Sequence, residues 1–62
     1  MNNEFTPRVG DWYQNISGEN FEIVALDDDE ATLEIQYFDG AVEELDFDSW
    51  YEMEIQPIEP PE

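Results

Sequence analysis

The clearest alternation of apolar and polar positions lies in the middle of the chain, over residues 31–38. Leu33, Ile35 and Tyr37 are separated by polar residues. A period of two is typical of a β-strand that buries one face and exposes the other. The pattern therefore predicts a strand over 31–38 whose buried face carries these three side chains.

The residues that follow predict a β-hairpin with two possible registers. The Asp-Gly pair at 39–40 is the strongest short hairpin signal, and it indicates a return strand over about 41–47. A two-residue turn pairs Tyr37 with Val42. A shift of one residue instead brings Leu45 to the core face and turns Val42 outward. A bulge between Val42 and Leu45 would reconcile the two registers.

The other predicted elements are short apolar runs between turn signals. They are a first strand or its entry turn over 9–14, a second strand over 21–26, one helical turn over 48–53, and a last strand over 54–56 that Pro57 ends. Five short strands with one helical turn before the last predict an all-β fold, a small SH3-like barrel of antiparallel strands. An open, strongly bent antiparallel sheet is the alternative.

The predicted domain organisation is a single unit. The barrel is expected over 9–58, preceded by a flexible lead-in over 1–8 and followed by a frayed Pro/Glu tail over 59–62. Sixty-two residues allow one domain at most, and a domain of this size depends on tight packing of its apolar side chains. We find no internal repeat, no signal peptide and no apolar stretch of membrane-spanning length, so a cytoplasmic protein is expected.

Charge changes this picture more than any other property of the composition. Eighteen Asp and Glu residues face a single basic side chain, Arg8, and the formal net charge is −17. Direct binding to nucleic-acid phosphates or to an anionic membrane needs lysine and arginine, and both are excluded on that ground. A basic protein or a basic peptide is the expected partner. The sequence sets no oligomeric state.

Catalysis and cofactor binding find no support in the sequence. The chain has no cysteine and no histidine, and it contains no phosphate-binding glycine loop or serine nucleophile motif. The acidic run at 27–30 has the spacing of two calcium ligands, but it lacks the glycine that folds such a loop around the ion. We therefore expect no enzyme activity, no cofactor and no metal site.

Three motifs carry a resemblance to known proteins. Val-Gly-Asp-Trp-Tyr at 9–13, Gln-Tyr-Phe-Asp-Gly at 36–40, and Glu-Glu-Leu-Asp at 43–46 with Trp50 resemble a group of short, acidic, uncharacterised bacterial proteins. More loosely, the layout resembles Tudor-type SH3-like domains. That resemblance implies an aromatic groove for a methylated arginine or lysine. Its candidate positions are Trp12, Tyr13, Tyr37 and Phe38, with Asp39 as the charge partner.

Adjacent aromatic residues in a strand point to opposite faces of the sheet. At most one member of each pair, Trp12/Tyr13 and Tyr37/Phe38, can therefore face the core, and the other must lie on the surface or at a rim. Exposed aromatic rings beside carboxylates favour cationic ligands. The structural alternative is that these aromatics only cover the open ends of a small barrel.

These observations predict a non-catalytic protein-interaction module that binds a basic protein or peptide through an acidic, aromatic-bearing face. Its main side chains are Trp12 or Tyr13, Phe38, Asp39 and Glu43. One alternative is a nucleic-acid mimic, whose ordered carboxylates occupy the site of a DNA- or RNA-binding protein. Another is an acidic surface that serves only solubility or a salt-rich environment.

Overall fold

The computed structural model describes residues 3–61 and contains one antiparallel sheet. Its elements are β1 (Trp12–Asn15), β2 (Asn20–Asp27), β3 (Thr32–Tyr37), β4 (Val42–Asp46), α1 (Phe47–Glu52) and β5 (Ile55–Ile58). The strand order is β4-β3-β2-β1-β5. The predicted all-β fold, with five antiparallel strands and one short helix before the last strand, is confirmed. Within residues 3–61 no helix has the length and apolar character of a membrane span.

The β3–β4 hairpin adopts the second of the two predicted registers. The Tyr37 N–H donates to the Ala41 carbonyl at 2.7 Å, which leaves residues 38–40 as a three-residue loop. Gly40 takes a φ of 99° in this loop, a conformation that glycine reaches at no steric cost. Leu33 consequently pairs with Leu45 on the inner face, and Val42 points outward with 56% of its surface exposed.

The irregularity that bends the sheet lies in β2 and not in β4. The register between β2 and β3 shifts between Ile23 and Ala25, so Val24 is the extra residue. Beyond the bulge, Leu26 pairs with Leu33. A one-residue insertion reverses which side chains face inward. This explains why the apolar run at the end of β2 shows no simple alternation.

The core lies on the inner face of the sheet and is closed by α1. Its members are at most 4% exposed and are Tyr13, Phe21, Ile23, Leu33, Ile35 and Trp50. Asp46 begins the helix by accepting a hydrogen bond from the Ser49 N–H at 2.7 Å, and this bond lowers the pKa of the Asp46 carboxyl. The short helix thereby places Trp50 against the sheet.

Part of the predicted lead-in over 1–8 packs against the helix. Residues 1 and 2 lie outside the described residues, as does residue 62 of the predicted tail. The Asn3 side-chain amide donates to the carbonyls of Trp50 at 2.8 Å and Met53 at 3.1 Å. The Trp50 Nε1–H donates to the Phe5 carbonyl at 2.9 Å, and Pro7 is buried. The segment thus satisfies the end of the helix and the indole of the largest core side chain.

The last strand continues through Pro57, where the sequence predicted that it would end. Pro57 pairs with Tyr13 in the middle of the β1–β5 ladder. Because β5 is an edge strand, one side of its backbone faces away from the sheet. A proline is tolerated there, since its missing N–H removes no ladder bond on that side.

Candidate functional site

The four aromatic residues singled out by the sequence divide between the two faces of the sheet. Tyr13 pairs with Phe21, and Phe21 pairs with Tyr37, so these three side chains form one row on the inner face. The Tyr13 ring contacts that of Trp50 at 5.1 Å between centroids, and the Phe21 ring contacts that of Tyr37 at 5.9 Å. Tyr13 and Tyr37 therefore belong to the packed side of the sheet.

Trp12 and Phe38 meet on the opposite, outer face, and we call them the outer aromatic pair. Their ring centroids lie 6.4 Å apart with an interplanar angle of 62°, an edge-to-face contact. Trp12 is half-buried, whereas 67% of the Phe38 surface is exposed. The Phe38 N–H donates to the Asn20 carbonyl at 2.9 Å, which fixes the hairpin loop against β2. Two residues far apart in the sequence thus form one exposed aromatic surface.

Carboxylates line the same outer face. Glu22 is the direct cross-strand neighbour of Trp12, and Glu34 and Glu44 pair with each other farther along the sheet. None of these three glutamates was among the site residues predicted from the sequence. Only the strand register places them on the outer face, and the single local signal was their alternation with buried residues.

The two acidic residues predicted for the site have other roles. The Asp39 carboxylate accepts a hydrogen bond from the Ala41 N–H at 3.0 Å and so shapes the hairpin loop beside Phe38. The Glu43 carboxylate accepts a hydrogen bond from the Tyr37 hydroxyl at 2.8 Å. Glu43 pairs with Ile35, so it belongs to the inner side of β4. Asp39 follows Phe38 in the hairpin loop, but its charge, like that of Glu43, acts on the Tyr37 hydroxyl of the inner face.

The Tyr37 hydroxyl lies in a strongly negative environment. Partial burial raises its pKa to about 12, helped by the hydrogen bond to Glu43 and by the charges of Glu43, Glu19 and Asp39. All of these effects favour the neutral phenol over the phenolate. Tyr37 therefore acts as a hydrogen-bond donor that holds the Glu43 side chain at the rim.

A row of amide side chains borders the aromatic pair. The Gln56 side-chain amide donates to the side-chain oxygen Oε1 of Gln14 at 2.8 Å. The Gln14 side-chain amide in turn donates to the side-chain oxygen Oδ1 of Asn20 at 3.1 Å. This row crosses β5, β1 and β2 on the outer face. The face thus combines exposed rings, ordered amides and carboxylates.

The acidic loop after β2 has a structural use for its first carboxylate. Asp27 accepts hydrogen bonds from the Asp29 N–H at 3.0 Å and the Glu30 N–H at 3.2 Å. Across residues 3–61, no three acidic side chains are grouped in a way that could hold a metal ion. The two hydrogen bonds to Asp27 shape the turn that leads from β2 to β3.

These features define a small all-β domain with a packed inner face and an acidic, aromatic outer face. The chain belongs to a family of unknown function (DUF6763), which it matches over residues 2–62. No curated protein matches the chain. No solved structure matches it either.

Proposed function

We propose that this chain is a non-catalytic interaction module that binds a basic protein or peptide through the outer face of its sheet. The observation that carries the proposal is the outer aromatic pair, because Phe38 keeps 67% of its surface exposed while its ring rests against Trp12. A small domain gains stability by burying such a ring. Leaving it on the surface suggests a role outside folding.

The chemistry around the pair favours a cationic partner. A guanidinium or ammonium group over an aromatic face gains about 0.5–2 kcal/mol. Glu22 is the cross-strand neighbour of Trp12, Asp39 follows Phe38 in the chain, and the whole chain carries a net charge of −17. Such a charge raises the rate at which basic partners are encountered, most strongly at low ionic strength.

We also propose that the sheet is an SH3-like barrel. Three observations support this: β5 pairs with β1, α1 lies between β4 and β5, and the bulge at Val24 bends β2. In another small β-barrel, the OB-fold, ligands bind to the face of two strands and to the loops beside them. By analogy, the hairpin loop with Phe38 would lie beside the ligand-binding face of the proposed barrel.

The proposal is tested with a defined probe, a lysine- and arginine-rich peptide without aromatic residues, and with a neutral peptide of equal length as control. We expect Phe38→Ala to weaken binding of the basic peptide by about 2 kcal/mol, the loss typical of an interface hot spot. Its melting temperature should stay close to that of the native chain, because changes at exposed positions fall within about 0.5 kcal/mol.

Ile16→Ala is the matched control, since Ile16 is 78% exposed, lies in the β1–β2 turn and contributes no ring to the outer aromatic pair. This variant should bind like the native chain in a calorimetric titration. Equal affinities of the native chain, Phe38→Ala and Ile16→Ala would contradict the proposed site. Failure of the basic peptide to bind better than the neutral one would contradict the proposed partner.

A further inference from the structure

A small pocket lies at the beginning of β1, next to the outer aromatic pair. It has a volume of about 230 Å³ and is lined by Trp12 and Tyr13 on one side and by Pro57 and Pro60 on the other. Asp11 adds a carboxylate to the lining. Ligand sites for whole small molecules usually measure about 300–1,000 Å³, so this pocket has room for one side chain.

The walls and the single carboxylate suit a long cationic side chain. Lysine and arginine bury their methylene stems against apolar surfaces and keep their charged ends at a polar group. Aromatic and proline rings would contact the stem here, while Asp11 would accept from the charged end. A neutral apolar side chain would make no use of the carboxylate, and an acidic one would be repelled.

The chain already places its own cation at this carboxylate. Arg8 is the only lysine or arginine in the sequence, and its Nε lies 3.9 Å from the Asp11 Oδ2. The turn that brings them together is closed by a hydrogen bond from the Asp11 N–H to the Arg8 carbonyl at 3.2 Å. Both charges act on the Tyr13 hydroxyl: Asp11 adds to the effect of burial in raising its pKa, and Arg8 opposes that rise.

We propose that this pocket receives one lysine or arginine side chain of the basic partner. Until the partner binds, Arg8 forms the ion pair with the Asp11 carboxylate, and the partner side chain then displaces Arg8. The inference rests on the proposed function. It adds a specific subsite for one partner side chain and makes Arg8 an intramolecular competitor for the Asp11 carboxylate. Displacing Arg8 requires little free energy, because the Arg8 side chain is 77% exposed and the Asp11 side chain is 40% exposed. Ion pairs at such positions contribute little to stability.

The test compares two variants with controls of equal charge change, using the same lysine- and arginine-rich peptide. Removal of the competitor in Arg8→Gln should tighten binding about two- to fivefold, the range expected for a lost surface ion pair. Ser17→Asp adds the same negative charge in the turn at the other end of β1 and should tighten binding less. Asp11→Asn should weaken binding, whereas Asp28→Asn, in the exposed β2–β3 loop, should not.

The double variant Asp11→Asn/Arg8→Gln separates competition from a general charge effect. Once Asp11 is neutral, we expect Arg8→Gln to tighten binding no more than Ser17→Asp does, because only the general charge effect then remains. In the native chain, the peptide should also shift the amide resonances of Gly10 and Ile58, which line the pocket. This readout does not depend on any variant folding.

The outcomes distinguish this inference from the function on which it rests. If the native chain does not bind the basic peptide, both fail. If binding depends on Phe38, yet Arg8→Gln matches Ser17→Asp and the Gly10 and Ile58 resonances stay in place, the subsite is wrong and the outer face remains the site. If Arg8→Gln still tightens binding more than Ser17→Asp when Asp11 is neutral, Arg8 is not a competitor for the Asp11 carboxylate.

Discussion

The two tryptophans of this chain show how differently the two faces of one sheet use the same side chain. Trp50 is fully buried, its indole N–H bonded to the Phe5 carbonyl and its ring packed against Tyr13 and Phe21. Trp12 is half-buried on the outer face, in contact with the exposed ring of Phe38. The number of aromatic residues in the sequence therefore overstates the size of the core, because some of these side chains lie on the surface.

Charge distinguishes the buried core of the inner face from the outer face, although Glu43 lies at the inner rim. Within residues 3–61, every fully buried hydrophobic side chain belongs to the inner cluster, and no buried side chain is charged or polar. Glu22, Glu34 and Glu44 lie on the outer face. Stability should therefore come from the inner face, whereas the outer face should destabilise the fold through repulsion and provide recognition.

The strongest test of this comparison is alanine substitution of each tryptophan. Trp50→Ala should cost about 3–5 kcal/mol, the usual cost of truncating a large buried aromatic residue. A domain of 62 residues has a total stability of about 3–9 kcal/mol, so this variant should be unfolded or nearly so. Trp12→Ala should remain folded with a moderately lowered melting temperature. Circular dichroism during heating and urea titration measures both, and equal losses would refute the division between the faces.

Much of the fold follows from local sequence. The alternation of Leu33, Ile35 and Tyr37 and the Asp-Gly turn at 39–40 are short-range signals, and β3 and the hairpin form where they indicate. The helix α1 forms one residue before the predicted range of 48–53, over Phe47–Glu52, and its cap is Asp46. Opposite orientation of adjacent aromatics also needs only the geometry of a strand, and it correctly separates Trp12 from Tyr13.

Structural features that depend on pairing between residues far apart in the chain could not be predicted from local sequence patterns. The register of β4 depends on a choice between two-residue and three-residue loops, and the bulge at Val24 becomes visible only through pairing with β3. Pro57 continues its strand because β5 is an edge, which is a property of the whole sheet. Glu22 joins the candidate site through its cross-strand position opposite Trp12. No local pattern contains this information.

A smaller effect is expected where the inner face reaches solvent, at Tyr37. Tyr37→Phe removes the hydrogen bond to Glu43 and should cost about 0.5–1 kcal/mol, the lower part of the range for a hydrogen bond because this one is exposed to water. The ring contact with Phe21 is retained. Urea unfolding at neutral pH measures this cost, and Phe38→Ala provides a comparison at a ring that is 67% exposed.

The same variant predicts a change at alkaline pH. The pKa of Tyr37 is about 12 in the folded chain against about 10 when unfolded, so its contribution is fully present below pH 10 and is lost as pH rises toward 12. Arg8 is the sole basic side chain and no lysine titrates nearby. Tyr37→Phe should therefore lose less stability than the native chain between pH 10 and 12. The part of the pH dependence that comes from Tyr13 should remain in both proteins. Parallel curves for the two proteins would contradict this assignment.

The smallest expected effect has the opposite sign and lies on the outer face. Glu34 and Glu44 are exposed and directly opposite each other on β3 and β4, and like charges in this position destabilise a sheet. Glu44→Lys replaces repulsion by attraction and should raise the free energy of unfolding by about 0.2–1 kcal/mol. Glu59→Lys makes the same change in net charge in the C-terminal segment, outside the sheet, and separates the pair from the general effect. The melting temperature of the native chain should rise with added salt. The difference in melting temperature between Glu44→Lys and Glu59→Lys should shrink at 1 M salt, where the Debye length falls to about 3 Å. If the two lysine variants melt together at low salt, the outer carboxylates repel only through the total charge, and their arrangement on this face has no separate energetic effect.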